Sequence, residues 1–421
     1  MCQSPLRIAL TSYRSKPHCG GQGVYVRHLS AALVDLGHSV EVFSGPPYPQ
    51  LDPRVGLTKV PGLDLYAEPN PFRVPRLSEF KTLTDVEEFA IMCTAGFPEP
   101  RTFCKRVVPM LAARAGEFDV VHDNQSLGSA LLTLPAAGLP LVATIHHPIT
   151  VDRRVELAAA TLSRKVSLRR WYGFVAMQAK VARRVPVLIT PSHNSALDAA
   201  REFRLRAEQL HVVPIGVDVD LFRPRGSRVP GRIVAMSSAD VPLKGLDVLL
   251  RAVAALPASI GAELVAVAKP TAGGRTEKLV AELGLGTRVR FVNGLTDTEL
   301  AELMASAELA VVPSLYEGFS LPALEAMASG TPLLASDVAS LPEVVGRDGA
   351  CAVLIPPGDV AGLAVAIERL LADPGRRERM SAAGRARATQ RFSWSAAAAG
   401  TVAAYRRAIA QTRAASESAA C

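Results

Sequence analysis

Short apolar runs alternate along this chain with stretches whose apolar positions recur every third or fourth residue, the signature of buried strands between amphipathic helices. Leu6–Thr11 reads as a first strand, a helical pattern follows to Leu36, and Gly37–Phe43 ends that helix and opens a second strand. Phe118–Asn124, Leu139–Ile145, Arg232–Met236, Leu264–Ala268, Val289–Leu295 and Leu309–Val312 continue the series. Strand–helix alternation of this kind predicts an α/β protein built on parallel sheets. Residues 45–105, rich in Pro and Gly, break the rhythm and read as a surface excursion that frames a substrate.

The most informative stretch runs from Ser314 to Gly330. Pro313 closes the strand before it, Gly318 permits a sharp turn and close backbone approach, and Pro322 suits a helix start because its missing N–H costs nothing there. Ala323–Ser329 favour helix and Gly330 ends it. The free amides near Ser320 and Leu321 then converge where an anion can sit. Two acids flank that point: Glu317 at the strand end and Glu325, expected in the first helical turn. A carboxylate repels phosphate, so Glu325 is placed to accept from a ribose hydroxyl and Glu317 from a hexose hydroxyl; the plain alternative is two acids favoured by the helix dipole.

The stretch resembles the E-x7-E signature of retaining glycosyltransferases of family 4, E-G-F-[GS]-L-P-x-x-E-A-M-A-x-G-x-P, over seventeen residues. The resemblance implies the GT-B fold, two Rossmann-like domains facing each other across a donor-binding cleft. It also implies that Gly318, Phe319, Ser320 and Leu321 line the donor site, with Glu317 catalytic and Glu325 on the ribose. Cys19–Val26 is similar to the family's N-terminal Gly-rich segment, where Gly21 would touch the donor diphosphate; Gly23 replaces a polar residue that some relatives turn toward the acceptor. His146, first of two histidines ending Leu141–Pro148, matches the family's position beside the transferred sugar, while His147 has no assigned role. Lys244 matches the lysine of the R-x4-K pair that neutralises the diphosphate, but the arginine position is Ala239. Ser237, Ser238, Lys269 and Arg275 are candidates to supply that contact, Lys269 foremost because it ends a strand. Gly294 and Leu295 would border the nucleobase through their backbone.

The implied domains are 1–214 on the acceptor side and 215–394 on the nucleotide-sugar side. A helix over 395–412 would return to the first domain, and 410–421 is expected to be a flexible tail. No side chain stands out as a covalent nucleophile, which suits same-face transfer of a hexose to a hydroxyl, a donor phosphate oxygen taking the acceptor proton. UDP-sugars are favoured as donors, with GDP-sugars the alternative. A non-catalytic nucleotide-sugar binder and a GT-B epimerase or phosphorylase are the competing readings. A dinucleotide-dependent dehydrogenase fits poorly, because the first loop lacks G-x-G-x-x-G and the second strand ends Phe43-Ser44 rather than in an acid.

Composition narrows the setting. With 421 residues and 49% apolar content the chain can bury two cores, and no apolar run is long enough to cross a bilayer. The first residues lack signal-peptide features, so a cytoplasmic location is expected. Cys2, Cys19, Cys93, Cys104, Cys351 and Cys421 show no metal-type spacing and read as free thiols. Asp218-Val-Asp220 imitates a metal-binding D-x-D but sits in a linker pattern that favours a turn; neither metal nor other cofactor is expected. The net charge of +8 suits acidic partners such as nucleotide diphosphates and phosphorylated or lipid-linked acceptors, while nucleic acid is disfavoured for want of interleaved aromatics. Residues 153–184 carry nine Lys or Arg and one acid, Glu156, with Leu162, Val166, Leu168, Trp171 and Phe174 as apolar partners. That stretch is a solvated basic face, a site for an anionic acceptor or a peripheral membrane contact.

Overall fold

The computed structural model describes residues 4–15, 21–67 and 71–420, the side chains of 159, 416 and 418–420 excepted. It forms two compact units, Met1–Pro214 with Ala397–Cys421, and Ile215–Ala396. Cys2, Cys19 and Cys421 fall outside the described residues, whereas Cys93, Cys104 and Cys351 are free thiols.

The first unit is built on seven parallel strands: β1 (Arg7–Ser12), β2 (Ser39–Ser44), β3 (Gly56–Lys59), β4 (Val120–Asn124), β5 (Leu141–Thr144), β6 (Val187–Thr190) and β7 (Leu210–Val212). Their order across the sheet is β3-β2-β1-β4-β5-β6-β7. Every residue of β4, β5 and β6 is buried, as expected of strands with helices on both faces. The order reverses between β1 and β4, which pair with Ile8 opposite Val120 and Thr11 opposite Asp123. A crevice opens at such a switch point beyond the carboxyl ends of the strands.

The second unit repeats the design with β8 (Arg232–Met236), β9 (Glu263–Val267), β10 (Val289–Val292), β11 (Leu309–Val312), β12 (Leu333–Ser336) and β13 (Ala352–Ile355). Their order is β10-β9-β8-β11-β12-β13, so the switch point lies between β8 and β11. Val234, Val265, Ala310, Val312 and Leu333 pack with Leu324 and Met327 of the helix Leu321–Ala328 on one face. Ile233, Leu264, Leu309 and Val311 pack with Leu249 and Val253 of the helix Leu246–Ala255 on the other.

Three expectations change. Residues 45–105 are more than an excursion: β3 pairs with β2, and the helices Leu83–Cys93 and Glu99–Ala113 follow. The first of these helices begins with a reciprocal cap between Thr82 and Asp85. In the basic segment, Leu168, Tyr172, Trp171 and Phe174 do join the core, but Leu162 and Val166 are 85% and 67% exposed. Finally, the segment expected as a tail from 410 lies, as far as Ala420, within the helix Trp394–Ala420. The segment from Ala410 on holds no Gly or Pro and is rich in Ala, so nothing local stops the helix.

That last helix completes the first unit's core. Tyr405 is fully buried and its hydroxyl lies 2.7 Å from Nδ1 of His122 on β4. Nε2 of His122 lies 2.7 Å from Thr144 Oγ1, which in turn is 3.3 Å from the Tyr25 hydroxyl. Burial, with His146 adding to it, pulls His122 down to about 3, so the imidazole is neutral.

Candidate active site

In the second unit the chain beyond β8 and β11 brings an amine against a carboxylate. Gly245 makes this possible. Its backbone is left-handed (φ +64°), and a Cβ there would stand 2.0 Å from the Pro313 carbonyl oxygen. Only glycine lets the short turn Pro242–Lys244 lie against the end of β11, where Leu315 N–H donates to the Leu243 carbonyl at 2.8 Å. Lys244 Nζ then donates to Glu317 Oε1 at 2.9 Å, and Ser314 Oγ donates to the same oxygen at 2.8 Å. Ser340 Oγ fixes the Glu317 backbone by donating to its carbonyl at 2.9 Å. Glu317 is buried while Lys244 is about a third exposed, so the amine remains open to a ligand and the carboxylate is held rigidly beside it.

Three residues on, Ser320 caps the helix Leu321–Ala328 by accepting from Ala323 N–H at 3.3 Å. The N–H groups of Phe319, Ser320 and Leu321 have no acceptor among the described residues. Pro322 is the second helical residue rather than the first, and Glu325 opens the second turn, not the first. The displacement has a consequence. The second turn is wholly buried, and Glu325 Oε2 finds no hydrogen-bond donor there. Burial, with a smaller push from Asp297, raises Glu325 to about 7. A buried carboxyl without a donor is costly, and a ligand hydroxyl would relieve it. Gly318 is buried, Phe319 and Leu321 half-buried, beside this helix start.

The remaining candidates of the second unit lie past other strand ends and in its linker. Gly294, left-handed at φ +70° and exposed, and half-buried Leu295 follow β10. Lys269 is exposed just past β9 and makes no ion pair among the described residues. Arg275, a candidate to stand in for the arginine absent at Ala239, has its guanidinium bonded to Asp247 at 2.8 Å. Ser237 Oγ, at the end of β8, is buried and unpartnered. Asp218 spends a carboxylate oxygen on the amides of Asp220 and Leu221, at 3.1 and 2.9 Å, which makes the D-x-D a turn. No metal-type cluster of His, Cys, Asp or Glu occurs among the described residues.

In the first unit, Gly21 is the exposed first residue of the helix Gly21–Asp35 and Gly23 is buried within its first turn. Gly20 and Cys19 lie outside the described residues. His146 follows β5, the strand beside β4, and is held on several sides. Its Nε2 lies 2.8 Å from Asn124 Oδ1, its backbone N–H donates to Gln125 Oε1 at 2.6 Å, and Ser195 Oγ donates to its carbonyl at 3.1 Å. The ring meets Tyr25 edge-on at 4.8 Å. Asn124 Nδ2 is turned toward the Gln22 carbonyl at 3.5 Å, which leaves Oδ1 to accept the His146 Nε2 proton. Burial, with His147 adding to it, lowers His146 to about 3, so a neutral imidazole keeps the lone pair on Nδ1. His147 turns away to Asp152, 3.4 Å distant.

Sequence reasoning overlooked Asn124, Gln125 and Tyr25. The first two end and follow the predicted strand Phe118–Asn124, at the end of a parallel strand where ligands bind, and that position was the available signal.

Comparison with proteins of known activity gives the geometry its context. The chain is 60% identical over 410 residues to the MMP alpha-(1->4)-mannosyltransferase of Mycolicibacterium hassiacum, across 97% of this chain and 100% of that protein. It is 30% identical over 439 residues to the D-inositol 3-phosphate glycosyltransferase of Streptomyces bingchenggensis, across 96% and 90%. Sucrose-phosphate synthase from Thermosynechococcus elongatus superposes with a TM-score of 0.71 at 26% identity, across 96% of this chain and 100% of that one. Residues 19–221 match the profile described as Glycosyltransferase Family 4, and residues 220–387 that of Glycosyl transferases group 1. The two switch-point sheets agree with these matches, and the chain belongs to glycosyltransferase family 4.

Proposed function

We propose that the chain transfers a mannosyl residue, with retention, from a nucleotide diphosphate sugar to a sugar hydroxyl, forming an α-(1→4) linkage. The sugar and linkage follow the mannosyltransferase to which it is 60% identical. The observation that carries the reading is the buried, donorless Glu325 carboxyl one turn from three open amides. Glu325 accepts from the ribose, and the Phe319–Leu321 amides with Lys244 and Gly21 take the diphosphate. Glu317, held by Lys244 and Ser314, orients sugar hydroxyls. Gly294 and Leu295 border the base through their backbone; uridine is the favoured base and guanosine the alternative. Departure of the diphosphate builds negative charge that Lys244 and the amides stabilise electrostatically. Neutral His146 faces the positive charge developing at the anomeric carbon, and a phosphate oxygen removes the acceptor proton.

Ala239 withholds one charge-assisted contact, about 1.5–3 kcal/mol or roughly 10- to 150-fold in affinity. Lys269, uncommitted and past β9, supplies it, with Ser237 as a neutral second contact. No metal or cofactor takes part in this reading. The enzyme works in the cytoplasm. Any contact with the membrane surface runs through Leu162, Val166 and the arginines beside them, not through the packed Trp171 and Tyr172.

The test is a thermal-shift screen of UDP-, GDP- and ADP-sugars, mannosyl donors included, followed by product analysis with the best binder. A transferred α-linked hexose supports the reading. Free sugar plus sugar 1-phosphate without transfer would indicate a phosphorylase, and an interconverted donor an epimerase.

A further inference from the structure

Two turns of the first unit hold His146 between them, one leaving β4 and one leaving β5. Asn124, Gln125 and Ser126 of the first turn are polar, yet none is more than 2% exposed. Gln125 grips the second turn at two points. Its Oε1 accepts from His146 N–H at 2.6 Å, and its Nε2 donates to the His147 carbonyl at 2.8 Å. The His146 carbonyl, between those points, accepts from Ser195 Oγ at 3.1 Å. Gln178, buried on the helix Phe174–Ala182, fixes the first turn from behind. Its Nε2 donates to the Gln125 carbonyl at 2.9 Å and to the Ser126 carbonyl at 3.3 Å. Tyr25 closes one side of the His146 ring, edge-on with 4.8 Å between centres.

The first turn is strained. Gln125 (φ +57°) and Leu127 (φ +48°) are both left-handed without being glycine. L-residues disfavour that conformation, and it persists only where the surroundings over-determine it. A turn with no task beyond leaving β4 would be built more easily with glycine. Here buried side-chain bonds to the turn carrying His146 hold the strain in place. What the arrangement achieves is clearest at Asn124. Its two amide ends face the Gln22 carbonyl at 3.5 Å and His146 Nε2 at 2.8 Å. With the amide reversed, Oδ1 would face the carbonyl oxygen, lone pair against lone pair, so Nδ2 points to Gln22 and Oδ1 to His146. A bare Nε2 lone pair 2.8 Å from Oδ1 would be repelled in the same way, so Nε2 carries the ring proton. Nδ1 keeps its lone pair and has no partner among the described residues.

We propose that Asn124 is a positioning residue that sets the His146 tautomer, with Gln125 holding the turn in place. The nitrogen left to the transferred sugar can then accept a hydrogen bond but cannot donate one. The opposite tautomer would present an N–H dipole toward the centre where positive charge develops, the wrong polarity for that charge. The link to the sugar rests on the glycosyltransferase reading above, whereas the tautomer follows from the two turns alone.

Long-range proton–nitrogen NMR on the full chain, labelled at histidine nitrogen and without donor, reads the tautomer directly. The His146 signals are those missing from His146→Ala. In the wild type they should show a proton on Nε2 alone. Asn124→Leu keeps the side-chain size but removes the acceptor oxygen, and should give a mixture of both tautomers. Asn124→Asp keeps an oxygen in place and should restore the Nε2–H signature. Turnover is read as release of free hexose from the nucleotide sugar giving the largest thermal shift. In Asn124→Leu its kcat should fall about 10-fold or more, with KM for the donor within about 2-fold of wild type. Asn124→Asp should recover most of that loss, and both variants should keep the donor's thermal shift. A proton on Nδ1 in the wild type, or an unchanged tautomer in Asn124→Leu, would overturn the proposal. So would a changed tautomer with wild-type kcat. If the wild type binds no nucleotide sugar, the donor reading fails, and the NMR comparison still decides what Asn124 does.

Discussion

Glu325 is the residue whose chemistry is most exposed to experiment. Its carboxyl is raised from 4.5 to about 7 by burial, so between those values the unfolded chain ionises while the folded one holds its proton. Folding therefore loses stability as pH rises across that window, by about 3 kcal/mol once both limits are passed. Glu325→Gln cannot ionise. Its melting temperature relative to wild type should be several degrees more favourable at pH 8 than at pH 4, read by calorimetry. A ribose hydroxyl donates better to the ionised carboxylate, so donor affinity in the wild type should strengthen as pH climbs from 6 to 8. Glu325→Ala should abolish the donor's thermal shift. His146 behaves oppositely: held near 3, it is neutral throughout that range and gives the turnover profile no step near 6.5. His146→Ala should keep the donor shift and slow turnover by about 10²-fold or more. For Lys269, loss of roughly 10-fold in donor affinity on substitution by Ala is the expected outcome, checked by titration calorimetry.

At the scale of elements, the strands and the start of the donor helix were legible in the sequence because each is encoded within a few residues. The apolar run Leu309–Val312, the helix start signalled by Pro322 and the stop at Gly330 needed no distant partner to be recognised. The parts that escaped are those whose order comes from elsewhere in the chain. Strand β3 is a short edge strand whose residues are exposed or half-buried, so it carries little apolar signal and exists because β2 pairs with it. Leu162 and Val166 looked like core by spacing, but in the folded chain that side of their helix is left open. Two glycines separate local need from tertiary need. Gly294→Ala meets nothing within 4 Å and should cost only the left-handed penalty, about 1–2 kcal/mol. Gly245→Ala adds a collision with the Pro313 carbonyl, so it should cost clearly more in urea unfolding and also loosen Lys244 from Glu317, weakening donor binding.

For the molecule as a whole, the contact that matters most joins residues 283 positions apart, His122 and Tyr405. Removing the phenol oxygen leaves a buried imidazole nitrogen without its partner, and Tyr405→Phe should destabilise the first unit by about 1–3 kcal/mol. Differential scanning calorimetry would show this as a lowered transition for that unit, with the other left near its wild-type temperature. The same contact bears on synthesis. A ribosome usually lets the earlier domain fold first, but here the core around the sheet that begins at Arg7 is not complete until the helix carrying Tyr405 has emerged. The second unit, encoded in the middle, has every strand it needs well before then, so the half that starts first should be the half that matures last.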